Sequence, residues 1–97
     1  MFNVVPVRGR YLLVSAWYEG GVDAIDFTDT RRPREIAWFE AGAPRPSDVW
    51  SAYWYNGLVY ASDIRRGLDV LSLAGTAARG AARLGHVNPQ TQDRLLR

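Results

Sequence analysis

Short apolar runs, separated by turn-forming residues, occupy the first three quarters of the chain. A continuous apolar run at residues 11–17 is followed by two glycines and by an alternating run at residues 22–27. Runs of this length around a glycine turn are typical of a β-hairpin. Residues 2–7 precede this hairpin, and residues 34–40 follow it after a turn that contains proline, a residue that cannot donate to a β-ladder. The pattern predicts four successive antiparallel strands.

The same kind of pattern returns after a loop at residues 41–47. Residues 49–55 alternate, which places Trp50 and Trp54 on one face of a predicted strand. Asn56-Gly57 follows, and both residue types tolerate the positive φ that a type I′ hairpin turn requires. Residues 58–63 are the predicted return strand, and residues 68–73 are a further strand. Beyond residue 73 the β pattern stops.

These two halves are copies of one repeat. Residues 12–16 align with residues 58–62 at a constant offset of 46, and the same offset continues through the next strand. The pairs in that strand are Gly21 with Gly67, Val22 with Leu68, Asp23 with Asp69, Ile25 with Leu71, and Phe27 with Leu73. The strands before them, residues 2–7 and 49–55, also correspond if the first turn contains one extra residue.

A four-stranded antiparallel repeat of about 45 residues has the size and strand order of a β-propeller blade. We therefore predict an all-β protein, with propeller blades in residues 1–73 and a basic tail in residues 74–97. Residues 2–42 are the first blade and residues 48–73 are three strands of the second. Because a propeller blade packs against a neighbour on each side, two blades alone leave apolar faces uncovered.

Three phrases carry a resemblance to a known family: GVDAIDFTDTRRPREIAWFEAG, SDVWSAYWYNGLVYASD and RGLDVLSL. They resemble the repeats of LVIVD-repeat β-propeller proteins, over about residues 2–73, and the phrase LGHVNPQTQ at 84–92 resembles the end of such proteins. The matching positions are Gly21, Val22, Asp26, Asp29 and Pro33 in the first copy, and Gly67, Leu68 and Asp69 in the second.

The resemblance implies a scaffold rather than a particular reaction, because a propeller fold hosts many functions. It also implies that the strand missing after Leu73 is supplied by the N-terminal segment of a propeller, as in propellers that close their ring in this way. The sequence departs from the family at its N-terminus, where the earlier blades and any secretion signal are absent. Family members are often secreted or on the cell surface. The first ten residues, MFNVVPVRGR, lack the apolar stretch of a signal peptide.

Composition narrows the function classes. Four arginines and one acid in residues 74–97 produce the basic balance, whereas residues 1–73 interleave eight arginines with nine acids. A nucleic-acid surface needs a dense basic stripe, so nucleic-acid binding is not expected. No apolar run reaches the length of a membrane span. Cysteine is absent, and no ligand spacing predicts a metal site or another cofactor.

Aromatic residues are the first candidates for a binding site. Trp50, Tyr53, Trp54 and Tyr18 could stack sugars or aromatic ligands, together with the neighbouring Tyr55, Trp17 and Trp38. The favoured alternative is that these rings fill the space between packed sheets. Tyr18 and Tyr53 are the ones expected at the surface.

Charged residues are the second candidates. Asp23 and Asp69 occupy equivalent repeat positions and could bind a cation or act at channel ends, but their repetition favours a structural role. Arg65 and Arg66 could bind an acidic partner, or they form a solvated turn. His86, the only histidine, has no neighbouring acid or nucleophile and is expected at the surface.

The tail carries two helical signals, in residues 77–84 and after Asn88-Pro89. Three leucines of the tail could dock against the last blade, or the tail is loose. They are Leu84, Leu95 and Leu96.

The function predicted from these observations is a non-catalytic binding or scaffold module, with no catalytic residue. Its expected partners are further propeller blades, from a longer chain or from self-association, and a protein or carbohydrate ligand. The alternatives are a propeller-type hydrolase or lyase that uses acids such as Asp23 and Asp69, and a non-functional truncated remnant.

Overall fold

Residues 2–76 and 78–84 are described by a computed structural model, and within them the protein is all-β with no helix. The seven strands are β1 (Phe2–Val5), β2 (Leu12–Ala16), β3 (Val22–Asp26), β4 (Arg34–Phe39), β5 (Val49–Tyr55), β6 (Leu58–Asp63) and β7 (Gly67–Leu71). They confirm the predicted all-β class and all seven predicted strands. Five predicted strands extend one or two residues past the observed C-terminal end, namely those at 2–7, 11–17, 22–27, 34–40 and 68–73.

The strands form two antiparallel sheets in which each strand pairs with the next along the chain. Sheet 1 has the order β1-β2-β3-β4, and sheet 2 has the order β5-β6-β7. No fourth strand joins sheet 2 within the described part of the chain. Asn56 and Gly57 close the β5-β6 hairpin with φ angles of 51° and 83°, which confirms the predicted Asn-Gly turn.

The prediction that Trp50 and Trp54 share a packing face is wrong. Val49 lies opposite Asp63 and Ser51 lies opposite Ser62, so Trp50 is an extra residue in the β5-β6 ladder. A β-bulge of this kind interrupts the alternation of side chains along a strand. Trp50 is consequently 58% exposed, whereas Trp54 is 3% exposed.

The predicted length difference between the two equivalent turns is also wrong. Val5 pairs with Leu12 across a six-residue connection, whereas Tyr55 pairs with Leu58 across two residues. The first turn is therefore four residues longer, and not one. Proline and glycine at positions 6 and 9 build this wider loop, in which Arg10 N donates to the Val7 carbonyl at 3.2 Å.

The hydrophobic core lies between the two sheets. Sheet 1 contributes Val5, Leu12 and Val14, and sheet 2 contributes Trp54 and Val59, all of them at most 3% exposed. The contacts run from β1 and β2 to β5. Toward the outer strands the sheets separate, and a shallow cleft opens there.

Hydrogen bonds join the sheets at two points. The Asn3 side chain is fully buried, and its Oδ1 accepts a 2.8 Å hydrogen bond from the Trp54 backbone N–H. At the other point, Tyr18 and Val49 exchange two backbone hydrogen bonds of 3.0 and 2.8 Å. These bonds satisfy backbone groups that the edge of β5 would otherwise leave unpaired.

The described part of the tail crosses the loops of both sheets. The Trp54 indole N–H donates to the Ala82 carbonyl at 2.7 Å, and Ala82 N donates to the Pro6 carbonyl at 2.9 Å. Leu84 packs against the core, which confirms that predicted docking contact. The predicted helix at 77–84 is wrong for residues 78–84, where Gly80 has a φ of 81° and the chain turns. Asn88-Pro89, Leu95, Leu96 and His86 lie outside the described residues.

Gly21 and Gly67 give a matched test of backbone packing. Both have a positive φ, of 80° and 93°, but a Cβ on Gly21 would overlap the Phe39 carbonyl oxygen, while a Cβ on Gly67 would meet open space. We expect Gly67→Ala to lower the free energy of unfolding by about 1 kcal/mol through φ strain alone. Gly21→Ala should lower it by a further ~1–3 kcal/mol, because the backbone must shift. Urea unfolding of both variants measures this difference, and equal losses would contradict it.

Asn3 tests the connection between the sheets. We expect Asn3→Leu to lower the free energy of unfolding by about 1–3 kcal/mol, because the buried Trp54 N–H loses its acceptor. Denaturant unfolding followed by tryptophan fluorescence measures the loss. An unchanged unfolding midpoint would mean that this hydrogen bond does not hold the sheets together.

Candidate functional site

Each sheet has two faces, and the strand registers assign the residues to them. Cross-strand partners in an antiparallel pair share a face. We call the side of sheet 1 that contacts sheet 2 its front face and the opposite side its back face. The front face comprises Asn3, Val5, Leu12, Val14, Ala16, Val22, Ala24 and Ala37. The back face comprises Phe2, Val4, Leu13, Ser15, Asp23, Ile25, Glu35 and Trp38. Trp17 follows β2, and its indole reaches this face through a hydrogen bond to Asp23.

Sheet 2 is oriented the other way. Its back face packs against sheet 1 and comprises Ala52, Trp54, Val59, Ala61, Asp69 and Leu71. Its front face points outward and comprises Tyr53, Tyr55, Leu58, Tyr60, Ser62, Leu68 and Val70. The two outward faces of the protein are therefore the back face of sheet 1 and the front face of sheet 2.

Two exposed tryptophans flank a carboxylate on the back face of sheet 1. Trp38 is 74% exposed and Trp17 is 56% exposed. Asp23 lies opposite Trp38 in the β3-β4 pair and accepts a 2.8 Å hydrogen bond from the Trp17 indole N–H. The Asp23 carboxylate is thus held in place while both rings stay accessible.

Glu35 joins this group from β4 and was not predicted. A hydrogen bond with the Asp23 carboxyl, followed by burial and by the negative charge of Asp23, raises the pKa of Glu35. Two carboxyl groups in such contact resist losing both protons. The sequence did not indicate this contact, because a bulge between Ala24 and Ile25 determines which β4 residues lie on the same face as Asp23.

The front face of sheet 2 is built of phenol rings and aliphatic side chains. Tyr55 and Tyr60 make an edge-to-face contact with ring centroids 5.6 Å apart. Leu68 and Val70 are 62% and 51% exposed. Tyr53, which was predicted at the surface, is half-buried on this face.

The predicted aromatic cluster is divided among separate places. Trp54 belongs to the core, and Tyr53 lies on the front face of sheet 2. Tyr18 and Trp50 meet edge to face at 6.2 Å where the two sheets join, and both are more than half exposed. Packing therefore accounts for Trp54, whereas Tyr18 and Trp50 are exposed and Tyr53 is half-buried.

The predicted arginines have acidic partners in their own surroundings. Arg66 pairs with Asp69 through two hydrogen bonds of 3.0 and 3.1 Å. Arg65 lies 3.7 Å from the Asp48 carboxylate and 3.4 Å from that of Glu19. These pairs compensate much of the charge that an acidic ligand would need.

The two equivalent acids, Asp23 and Asp69, have different partners in different sheets. Asp23 accepts from an indole, and Asp69 accepts from a guanidinium. Both contacts are structural in kind, and the structure does not bring the two carboxylates into one site.

Two other acids hold turns. Burial opposes ionisation of Asp26, but hydrogen bonds from the Thr28 side chain and backbone and from Arg10 outweigh it and lower its pKa to about 2. Asp63 is also buried, and backbone N–H groups of Asp48, Arg66 and Arg65 lower its pKa despite that burial.

Among residues 2–76 and 78–84, no three His, Asp or Glu side chains are grouped as a metal would need. Nor does this part of the chain contain a helix long and apolar enough to cross a membrane. Comparison with protein-family models, with curated proteins and with solved structures finds no match for the chain. The LVIVD resemblance stays a prediction carried by the sequence motifs.

Asp26 predicts the acid sensitivity of the fold. Its folded pKa of about 2 lies below the ordinary value of 3.8, so its ionised form stabilises the protein fully above pH ~4. This contribution of about 2 kcal/mol is lost as the pH falls from about 4 to about 2. Asp26→Asn should lower stability at pH 7 and flatten its decline in this pH range.

Urea unfolding between pH 2 and pH 7 measures both effects. The matched control is Asp29→Asn, which removes a half-exposed carboxylate from the neighbouring turn. An unchanged pH dependence in Asp26→Asn would contradict the assignment.

Proposed function

We propose that this chain is a non-catalytic binding and scaffold module, built of two propeller-like blades of the LVIVD-repeat kind. It acts by docking partners on its two outward sheet faces. The observation that carries the proposal is that both outward faces expose large apolar side chains, Phe2 and Trp38 on sheet 1 and Leu68 and Val70 on sheet 2. Contiguous exposed apolar surface on a folded protein usually marks an interaction site.

The strand arrangement supports the blade assignment. Sheet 1 is a four-stranded antiparallel meander within residues 2–39, and sheet 2 repeats its first three strands. The sheets are stacked face to face with their first strands closest together, since β1 and β2 contact β5. Neighbouring propeller blades pack in this manner around a central axis.

The outward faces have the composition of interaction surfaces. Tryptophan and tyrosine are enriched in protein interfaces, because they bury a large area and keep a polar group for hydrogen bonding. Trp17 and Trp38 occupy one outward face, and Tyr53 and Tyr60 occupy the other. The same rings suit the stacking of a sugar, so a carbohydrate is the second kind of ligand proposed.

Light scattering of the purified chain at several concentrations tests the proposal. Docking surfaces of this kind should drive association, giving masses above the 10.9 kDa of one chain, in discrete assemblies or as aggregates. Circular dichroism in parallel reports whether the β-sheets are formed. A folded, stable monomer at every concentration would contradict docking of further blades and would leave only a small ligand for these faces.

A further inference from the structure

We propose that the partner of the front face of sheet 2 is the back face of sheet 1 in a second copy of this chain. The inference rests on the proposed function and specifies the occupant of its docking surfaces. Copies would then join head to tail, each adding two sheets to a continuous stack.

The repeat gives the first argument, because it relates unlike faces in the observed packing. At the offset of 46, the front-face residues Val14, Val22 and Ala24 of sheet 1 correspond to Tyr60, Leu68 and Val70 of sheet 2. These three residues lie on the front face of sheet 2, so equivalent residues of the two sheets lie on corresponding faces. The core is therefore a contact between the front face of sheet 1 and the back face of sheet 2.

Burial gives the second argument. Val22 and Ala24 are 5% and 3% exposed beneath sheet 2. Their equivalents, Leu68 and Val70, are 62% and 51% exposed. The front face of sheet 2 is thus equivalent to a packed face, but among residues 2–76 and 78–84 no sheet covers it.

The back face of sheet 1 is its complement. Val59 and Leu71 of sheet 2 line the cleft against sheet 1, and their equivalents in sheet 1 are Leu13 and Ile25. Leu13 and Ile25 lie on the back face and are half-buried. The back face of sheet 1 therefore has aliphatic residues at the positions equivalent to those that sheet 2 packs against the front face of sheet 1.

Polar groups on the two faces also match. Tyr60 has a phenol hydroxyl, which can donate a hydrogen bond, on the front face of sheet 2. Asp23 and Glu35 have carboxyl oxygens, which can accept it, on sheet 1. A contact between unlike faces is heterologous, so it produces a ring if the rotation closes and a filament if it does not.

Variants that block one face each test this arrangement. The front-blocked chain carries Leu68→Glu and Val70→Glu, and the back-blocked chain carries Phe2→Glu and Trp38→Glu. All four positions are roughly half exposed or more, so the substitutions change the surface rather than the core. Thr30→Glu, in an exposed turn, is the control for added charge and should assemble as the unaltered chain does.

We expect each blocked chain to be a monomer and their equimolar mixture to be a dimer, with a twofold increase in mass. In the mixture, the back-blocked chain has an intact front face and the front-blocked chain has an intact back face. Only one contact, between these two faces, can therefore form. Self-association of either blocked chain through its remaining face would overturn the proposal, because it would pair like faces. Persistence of the full assembly in both variants would overturn it as well.

Disulfide trapping provides a second test that does not depend on the charged variants. The chain contains no cysteine, so Val70→Cys and Ile25→Cys each introduce a single thiol. In the proposed contact these positions correspond to Ala24 and Leu71, which face the same cleft. Mild oxidation of the mixture should give mainly the mixed disulfide, whereas mainly Val70→Cys homodimers would contradict the proposal.

The two levels of inference fail separately. If the unaltered chain is a folded monomer, docking of further blades and the head-to-tail contact are both wrong, and only a small ligand remains for these faces. If it associates but like faces pair, the docking function stands and only the arrangement of the copies is wrong.

Discussion

The structure depends on the packing of two unlike sheet faces against each other. Small side chains take part in this packing, since Ala16 and Ala24 of sheet 1 and Ala52 and Ala61 of sheet 2 belong to one buried cluster. Stacked sheets need close, complementary side-chain packing at a separation of ~10 Å. Trp54 fills the space near β1, and the Asn3 side chain satisfies the backbone N–H of the same tryptophan. One layer of core therefore fixes both the spacing and the relative position of the sheets.

The ends of the strands are held by carboxylates, since so small a core leaves the turns without apolar support. Asp26 accepts from Thr28 N–H and contacts Arg10 at one end of β3. Asp63 accepts from the turn after β6 and also from Asp48 N–H before β5. Hydrogen bonds to charged acceptors are stronger than those between neutral groups. These two acids explain how two short sheets keep defined turns.

Sequence periodicity predicted the strands well because alternation and turn residues are local signals. The Asn56-Gly57 hairpin and the repeat offset of 46 required no knowledge of tertiary contacts. The bulges at Trp50 and in the β3-β4 pair were not predictable, since an extra residue in a ladder depends on the partner strand. Those bulges decide the exposure of Trp50 and the contact of Glu35 with Asp23. The site was therefore predictable as an aromatic surface, but not in the positions of its members.

The divergence between equivalent positions of the two sheets is consistent with different demands on their front faces. Val14 lies within one chain and stays buried, so a purely apolar side chain suffices there. Its equivalent, Tyr60, lies on the outward face of sheet 2 beside the exposed Leu68 and Val70. A tyrosine tolerates both exposure and burial, because its ring can be buried while its hydroxyl is hydrated or bonded. At this repeat position tyrosine is therefore compatible both with the outward face observed here and with the contact between copies that we propose.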